Sequence, residues 1–155
     1  MTLLVLMGPP ASGKSTYAEE LAQDGWRIVC PDVIRDRNGS DPGTDNLATF
    51  AAAYRITEAA LRSGQRVVFD STALTEHVRR SLRKLARRLG CEPHLAVIHT
   101  SNRTCLTRNR KRLRPVPEDQ MRSMLVAYER QYPLTVRERW ASVRVVDGTR
   151  KLVAS

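Results

Sequence analysis

The most constraining feature of the sequence is an eight-residue turn near its start. Gly8-Pro9-Pro10-Ala11-Ser12-Gly13-Lys14-Ser15 satisfies the pattern G-x-x-x-x-G-K-[ST] at every position. It follows an apolar run over residues 2–7 and precedes a helical pattern over 14–23. Such a turn calls for a buried parallel strand before it and a helix after it. Gly8 is expected to permit the turn out of the strand, and the residues up to Gly13 to aim successive backbone N–H groups at phosphate oxygens. Those donors would stand at a helix N-terminus, where the dipole also favours negative charge. Lys14 would reach the β- and γ-phosphates of a nucleoside triphosphate, and the Ser15 hydroxyl would ligate Mg²⁺. The alternative is a glycine turn with an incidental lysine, and the flanking strand and helix argue against it.

The chain has 155 residues, 41% of them hydrophobic and 27% charged. That suits one domain over 1–155, large enough to bury roughly 70% of its unfolded surface. No apolar run approaches the ~20 residues of a membrane span. The opening segment lacks a basic n-region and runs straight into Gly8-Pro9-Pro10, which makes a poor signal peptide. Cys30, Cys91 and Cys105 are odd in number and form no Cys-x-x-Cys pair. His77, His94 and His99 show no metal-ligand spacing. The expectation is no disulfide, no zinc, no membrane contact and a cytoplasmic location.

Apolar and turn-forming residues alternate along the rest of the chain. Strands are expected at 26–30, closed by Pro31-Asp32, at 66–70, at 94–99 and at 143–146. Helices are expected from Thr44 or Asp45 to about Ser63, over 75–89, from about 101 to Lys111, and from about Glu118. Residues 38–43 are dense in turn formers and read as an exposed loop. Five strands alternating with helices imply an α/β three-layer sandwich around a parallel five-stranded sheet.

The net charge of +10 is unevenly distributed. Residues 75–90 hold six cations (Arg79, Arg80, Arg83, Lys84, Arg87, Arg88) against Glu76 alone. Residues 101–114 hold Arg103, Arg108, Arg110, Lys111, Arg112 and Arg114 with no acid, which leaves the remainder near neutral. Two such segments are the footprint of a polyanion binder. For 75–90 a plain solvated face, in a chain that prefers Arg to Lys, is an equal alternative.

Three further groups bear on chemistry. Asp32 lies just past the second strand, at the strand ends that face the ligand crevice in parallel sheets. A carboxylate there can take the proton of a hydroxyl aligned with a γ-phosphate, or it can cap a helix. Arg35 falls on the same face if the chain turns helical after Pro31, and could pair with Asp32 or grip a second phosphate. Asp70 ends the third strand, where a Walker-B carboxylate would support Mg²⁺ through water, with helix capping again the alternative. The Arg-rich segment at about 101–117 ends at Pro115-Val116-Pro117 and occupies the place of a lid that excludes water and supplies cationic charge. Arg108 and Arg112 are one helical turn apart and would face the same way.

Four stretches together carry a resemblance. These are Gly8-Pro9-Pro10-Ala11-Ser12-Gly13-Lys14-Ser15-Thr16; Asp32-Val33-Ile34-Arg35; Asp70-Ser71-Thr72-Ala73-Leu74; and Arg108-Asn109-Arg110-Lys111-Arg112, followed by Val116-Pro117 and Arg122-Ser123-Met124. The chain resembles the P-loop 5′-kinase domain of phage and bacterial polynucleotide kinases. The resemblance implies transfer of the ATP γ-phosphoryl to the 5′-OH of DNA or RNA, with Mg²⁺. It places the triphosphate on residues 8–16, Arg108 and Arg112, and makes Ser15 the metal ligand. Lys14, Asp32 as general base and Arg112 on the lid would be the catalytic residues. Asp32, Arg35 and Asp70 would serve the acceptor, Arg35 at its neighbouring phosphate. Arg108 would lie against the adenine, near the loop Asp147-Gly148-Thr149. The lid is shorter between Arg112 and Val116 than the family pattern, which leaves Arg110 as the alternative lid arginine. Small-molecule kinases acting on sugars, antibiotics or nucleotide sugars share the P-loop, the Asp after the second strand and an Arg-bearing lid. No Asp-x-Asp-x-Thr motif occurs, so no 3′-phosphatase activity is expected, and no protein partner is inferred.

Overall fold

The computed structural model describes residues 1–37 and 47–149. The central strand β1 (Thr2–Met7) is buried on both faces. β2 (Arg27–Val29), β3 (Arg66–Asp70), β4 (Pro93–His99) and β5 (Ser142–Asp147) complete a sheet ordered β2-β3-β1-β4-β5. Every neighbouring pair is parallel. The expected parallel five-stranded sheet is therefore the observed one.

Alternation along β1 assigns its side chains to two layers, as the pleat requires. Leu3, Val5 and Met7 pack with Ala53, Ala60 and Leu61 of α3 (Leu47–Arg62), with Leu82 and Ala86 of α4 (Glu76–Arg88), and with Tyr128 of α6 (Glu118–Gln131). Leu4 and Leu6 face the other way, onto Ala18, Tyr17 and Leu21 of α1 (Lys14–Gln23). A third cluster joins Cys105 and Leu106 of α5 (Asn102–Arg110) to Val116, Met121 and Leu125. The lid segment thus has a small core of its own, separate from the sheet.

Several boundaries differ from expectation. The second strand is only three residues long, because α2 (Pro31–Arg37) begins at once. Pro31, read as the closure of the strand, is instead the first residue of that helix, where its missing N–H costs nothing. A 3-10 segment (Tyr132–Arg137) follows α6. The exposed loop at 38–43 and the caps Thr44 or Asp45 lie outside the described residues.

Candidate active site

The phosphate turn is held from both sides. The Gly8 N–H donates to the Thr72 carbonyl at 3.1 Å, and the Thr100 hydroxyl donates to the Ser12 carbonyl at 2.8 Å. The left-handed residues of the turn are Ala11 (φ 65) and Gly13 (φ 107), not Gly8. Gly8 matters for close approach: a Cβ there would lie 2.9 Å from the Ile98 carbonyl oxygen. Gly148, just past β5, packs on the same turn so closely that a Cβ would collide with the Ser12 carbonyl and the Thr100 hydroxyl. Arg108 fastens this junction, donating from Nη1 to the carbonyls of Ala11 and Gly148, 3.2 Å each.

Lys14 and Ser15 open α1 directly beneath the turn. Lys14 is buried and donates to the Pro9 carbonyl at 2.9 Å. Burial lowers its pKa, against the attraction of Asp70 and Asp32. The Ser15 hydroxyl donates to Asp70 Oδ2 at 3.0 Å across 55 residues of sequence. Burial raises the Asp70 pKa, and the Lys14 charge and the Ser15 hydrogen bond partly offset it. Asp70 therefore caps no helix; the N-cap of α4 is Thr75. A hydroxyl and a carboxylate at this spacing are hard oxygen donors suited to Mg²⁺, which takes one or two protein oxygens and completes its shell with phosphates and water. No group of three or more His, Cys, Asp or Glu that could hold a metal alone occurs among the described residues.

Asp32 sits in the first turn of α2 rather than at its cap. It is 63% exposed and accepts from Arg35 Nη1 at 2.7 Å, while the Arg35 side chain is only 14% exposed. Of the two expectations for Arg35, pairing with Asp32 is the one observed, although its Nε is buried without a hydrogen-bond partner.

Behind these groups the chain leaves a cleft of about 1060 Å³. Lys14, Ser15, Asp32, Arg35, Asp70, Arg108 and Arg112 all line it. Phe50, Leu74, Val78, Met124 and Ala127, all half-buried, also line it, as do the polar Ser71, Thr72, Thr75, Gln120 and Ser123. The lid arginines divide sharply. Arg110 turns away and donates to Glu118 at 2.5 Å, a carboxylate that Arg122 also holds at 3.1 Å. Arg112 lies past the end of α5, so helical spacing is not what aligns it with Arg108; the turn after Lys111 brings it to the cleft. Arg114 approaches Asp36 of α2 at 4.0 Å across the cleft mouth.

The other basic segment does not face a ligand as one surface. Arg79 is fully buried and Arg83 nearly so. Both pair with Glu138, at 2.7 and 2.9 Å. Arg80 pairs with Glu76, Arg88 with Glu58, and Arg87 donates to the Arg139 carbonyl. The polyanion reading of 75–90 is therefore corrected for Arg79 and Arg83, whose charges are spent inside the protein. The residue that sequence reasoning missed is Arg79. Its one signal was position: it continues the buried stripe of Leu82 and Ala86 one turn toward the helix start.

Comparison with known proteins agrees with the fold. The family model described as an AAA domain matches residues 3–131. The curated relative "Transcription factor bHLH140" of Arabidopsis thaliana is 28% identical over 113 residues. The match covers 71% of this chain but 11% of that protein, so the chain spans about a tenth of its length. Among solved structures, a gluconokinase from Sinorhizobium meliloti 1021 superposes with TM-score 0.64 and 21% identity, covering 97% of this chain and 84% of the other. A chain of the Pnkp1/Rnl/Hen1 RNA repair complex gives TM-score 0.72 and 18% identity, covering 90% and 46%. At these identities the likeness shows the fold: a P-loop kinase fold built to bind a nucleotide.

Proposed function

We propose, from the premise that this chain belongs to the AAA domain family, that it is an ATP-dependent polynucleotide 5′-hydroxyl kinase. Residues 1–155 would act as one kinase domain, with the lid at about 101–117. The observation that carries the choice of acceptor is the make-up of the cleft beyond Asp32. Arg35, Arg112 and Arg114 line it together with the apolar Phe50, Leu74, Val78 and Met124, and Ser71, Thr72, Thr75, Gln120 and Ser123 add hydrogen-bonding groups. Cations beside apolar faces suit an acceptor that is phosphate on one side and nucleobase on the other.

The reaction is an in-line transfer. The O–H proton of the acceptor passes to the Asp32 carboxylate as its oxygen attacks the γ-phosphorus. The bond from the γ-phosphorus to the bridging oxygen breaks, and ADP leaves. Lys14 and Arg112 balance the charge on the transferring group. Arg35 holds the acceptor's neighbouring phosphate, and its pairing with Asp32 keeps both side chains aimed at one spot. Arg108, through its bonds to Ala11 and Gly148, sets the base-binding loop against the phosphate turn. Ser15 and Asp70 would hold Mg²⁺, which neutralises phosphate charge when bound. No helix among the described residues is long and apolar enough to cross a membrane. From the free thiols of Cys30, Cys91 and Cys105 we place the protein in a reducing cytoplasm, acting on nucleic-acid ends.

The test is the intact mass of a 5′-OH oligonucleotide, DNA and RNA side by side, after incubation with the protein, ATP and Mg²⁺. Gain of one phosphoryl, lost in Lys14→Ala and weakened steeply by salt, is the expected result. The small-molecule reading is favoured by one observation, the gluconokinase likeness over nearly all of both chains. Transfer to a sugar acid with none to either oligonucleotide would establish it instead.

A further inference from the structure

We infer that Arg79, which does not itself line the cleft, is a positioning residue that fixes two elements that do, the loop after Asp70 and α6. The assignment rests on the proposed phosphoryl transfer, and it begins from a conformational oddity. Ala73 lies on the loop that follows Asp70, lines the cleft, and is left-handed at φ 48. A side chain at this angle is disfavoured, so something must hold it there. The Ala73 carbonyl accepts from Arg79 Nη1 at 2.8 Å in a buried contact. One residue earlier, the Thr72 carbonyl accepts the Gly8 N–H. The loop is thus pinned to the phosphate turn at one point and to Arg79 at the next.

The remaining donors of Arg79 point at the opposite wall. Nη2 donates to Gln131 Oε1 at 2.9 Å, and Nε and Nη2 grip Glu138 at 2.7–3.1 Å. Gln131 is the last residue of α6, the helix whose Ser123, Met124 and Ala127 line the cleft. A single guanidinium therefore ties together the acceptor loop, the end of α6 and the segment after it. Its planar fork is what allows bonds in three directions at fixed angles. Burial of a cation is costly, and this one is satisfied at Nε, Nη1 and Nη2. Moving either wall changes where an acceptor hydroxyl meets Asp32.

Arg79→Met tests this with the fold preserved, because Glu138 keeps Arg83 at 2.9 Å and the Trp140 indole at 2.8 Å. The expected result is an acceptor KM raised about tenfold and a lower kcat, with the KM for ATP unchanged. Adding Ala73→Gly removes the conformational penalty on the loop, and should bring the acceptor KM most of the way back without restoring Tm. A purely structural arginine would lower Tm as well but leave the acceptor KM unchanged, and that outcome overturns the assignment. Should Arg79→Met not fold, Arg79→Lys keeps the charge balance while reaching fewer partners, and the same split is read from it. The wild type is assayed in parallel. If it phosphorylates neither oligonucleotide, the polynucleotide reading fails on its own, and amide exchange decides Arg79. Faster exchange confined to residues 71–75 and the end of α6 supports the assignment, and unchanged exchange there overturns it.

Discussion

Residues 75–90 and 101–114 are equally rich in arginine, yet the fold uses them in opposite ways. In the first, acidic partners wait on neighbouring elements: Glu138 after α6, Glu58 on α3 and Glu76 on the same helix. In the second, Glu118 is the one acid on the lid side that supplies a partner among the described residues, and it takes Arg110 and Arg122. Arg112 and Arg108 are left to the cleft. Local charge density cannot distinguish these cases; the position of the acids in space does.

Substitutions should separate the two segments cleanly. The largest effect is expected at Arg112→Ala, which should lower kcat by roughly three orders of magnitude with Tm unchanged, in a transfer assay read beside a melt. Arg110→Ala, two residues away and paired outward with Glu118, should leave kcat within about twofold of wild type; equal losses for the two would erase the distinction drawn on the lid. Glu138→Ala reverses the pattern. It takes the shared carboxylate away from two buried guanidinium groups and should cost about 3 kcal/mol, seen as a Tm lower by roughly 8 °C.

Acid should expose the same contrast more gently. The Arg79 and Arg83 charges and the hydrogen bonds from Arg79 and Trp140 hold the Glu138 pKa below its ordinary 4.5, overcoming burial. Its folded pKa is depressed, so its contribution is present above 4.5 and is lost as pH falls through the depressed value. Asp70 carries the opposite sign: burial raises its pKa, so its ionised form weighs against the fold near neutrality, and that penalty fades as pH drops toward 3.8. Calorimetry from pH 7 to 3 should therefore show a steeper acid loss in the wild type than in Glu138→Gln, and a shallower one than in Asp70→Asn. The smallest effect belongs to Arg88→Ala, whose partner Glu58 lies at the surface; Tm should stay within about 2 °C.

Much of this was legible in the sequence. The strands and the phosphate turn are local patterns, and the structure returns them at nearly the expected positions because a buried parallel strand has little choice of composition. Asp32 and Asp70 were ambiguous between capping and chemistry. For Asp70 the structure removes the capping alternative and shows instead a contact with Ser15, 55 residues distant, that no local pattern encodes. The short α2 was hidden because a proline that closes a strand and one that opens a helix read alike. Arg79 was unreadable for a deeper reason. A guanidinium is written the same way whether it faces water or a buried carboxylate, and Glu138 lies 59 residues away.

The contact between Gly148 and the phosphate turn has a consequence for redesign. There is no room for a side chain at 148; under the proposed function, in which the loop at 147–149 meets the base, nucleobase preference cannot be tuned there by any single replacement. It must be altered at Asp147 or Thr149, whose side chains already bond each other at 2.7 Å, so the two positions would have to change together. Under the proposed function, donor selectivity in this scaffold is thus a two-residue problem, open to paired libraries and closed to a scan one position at a time.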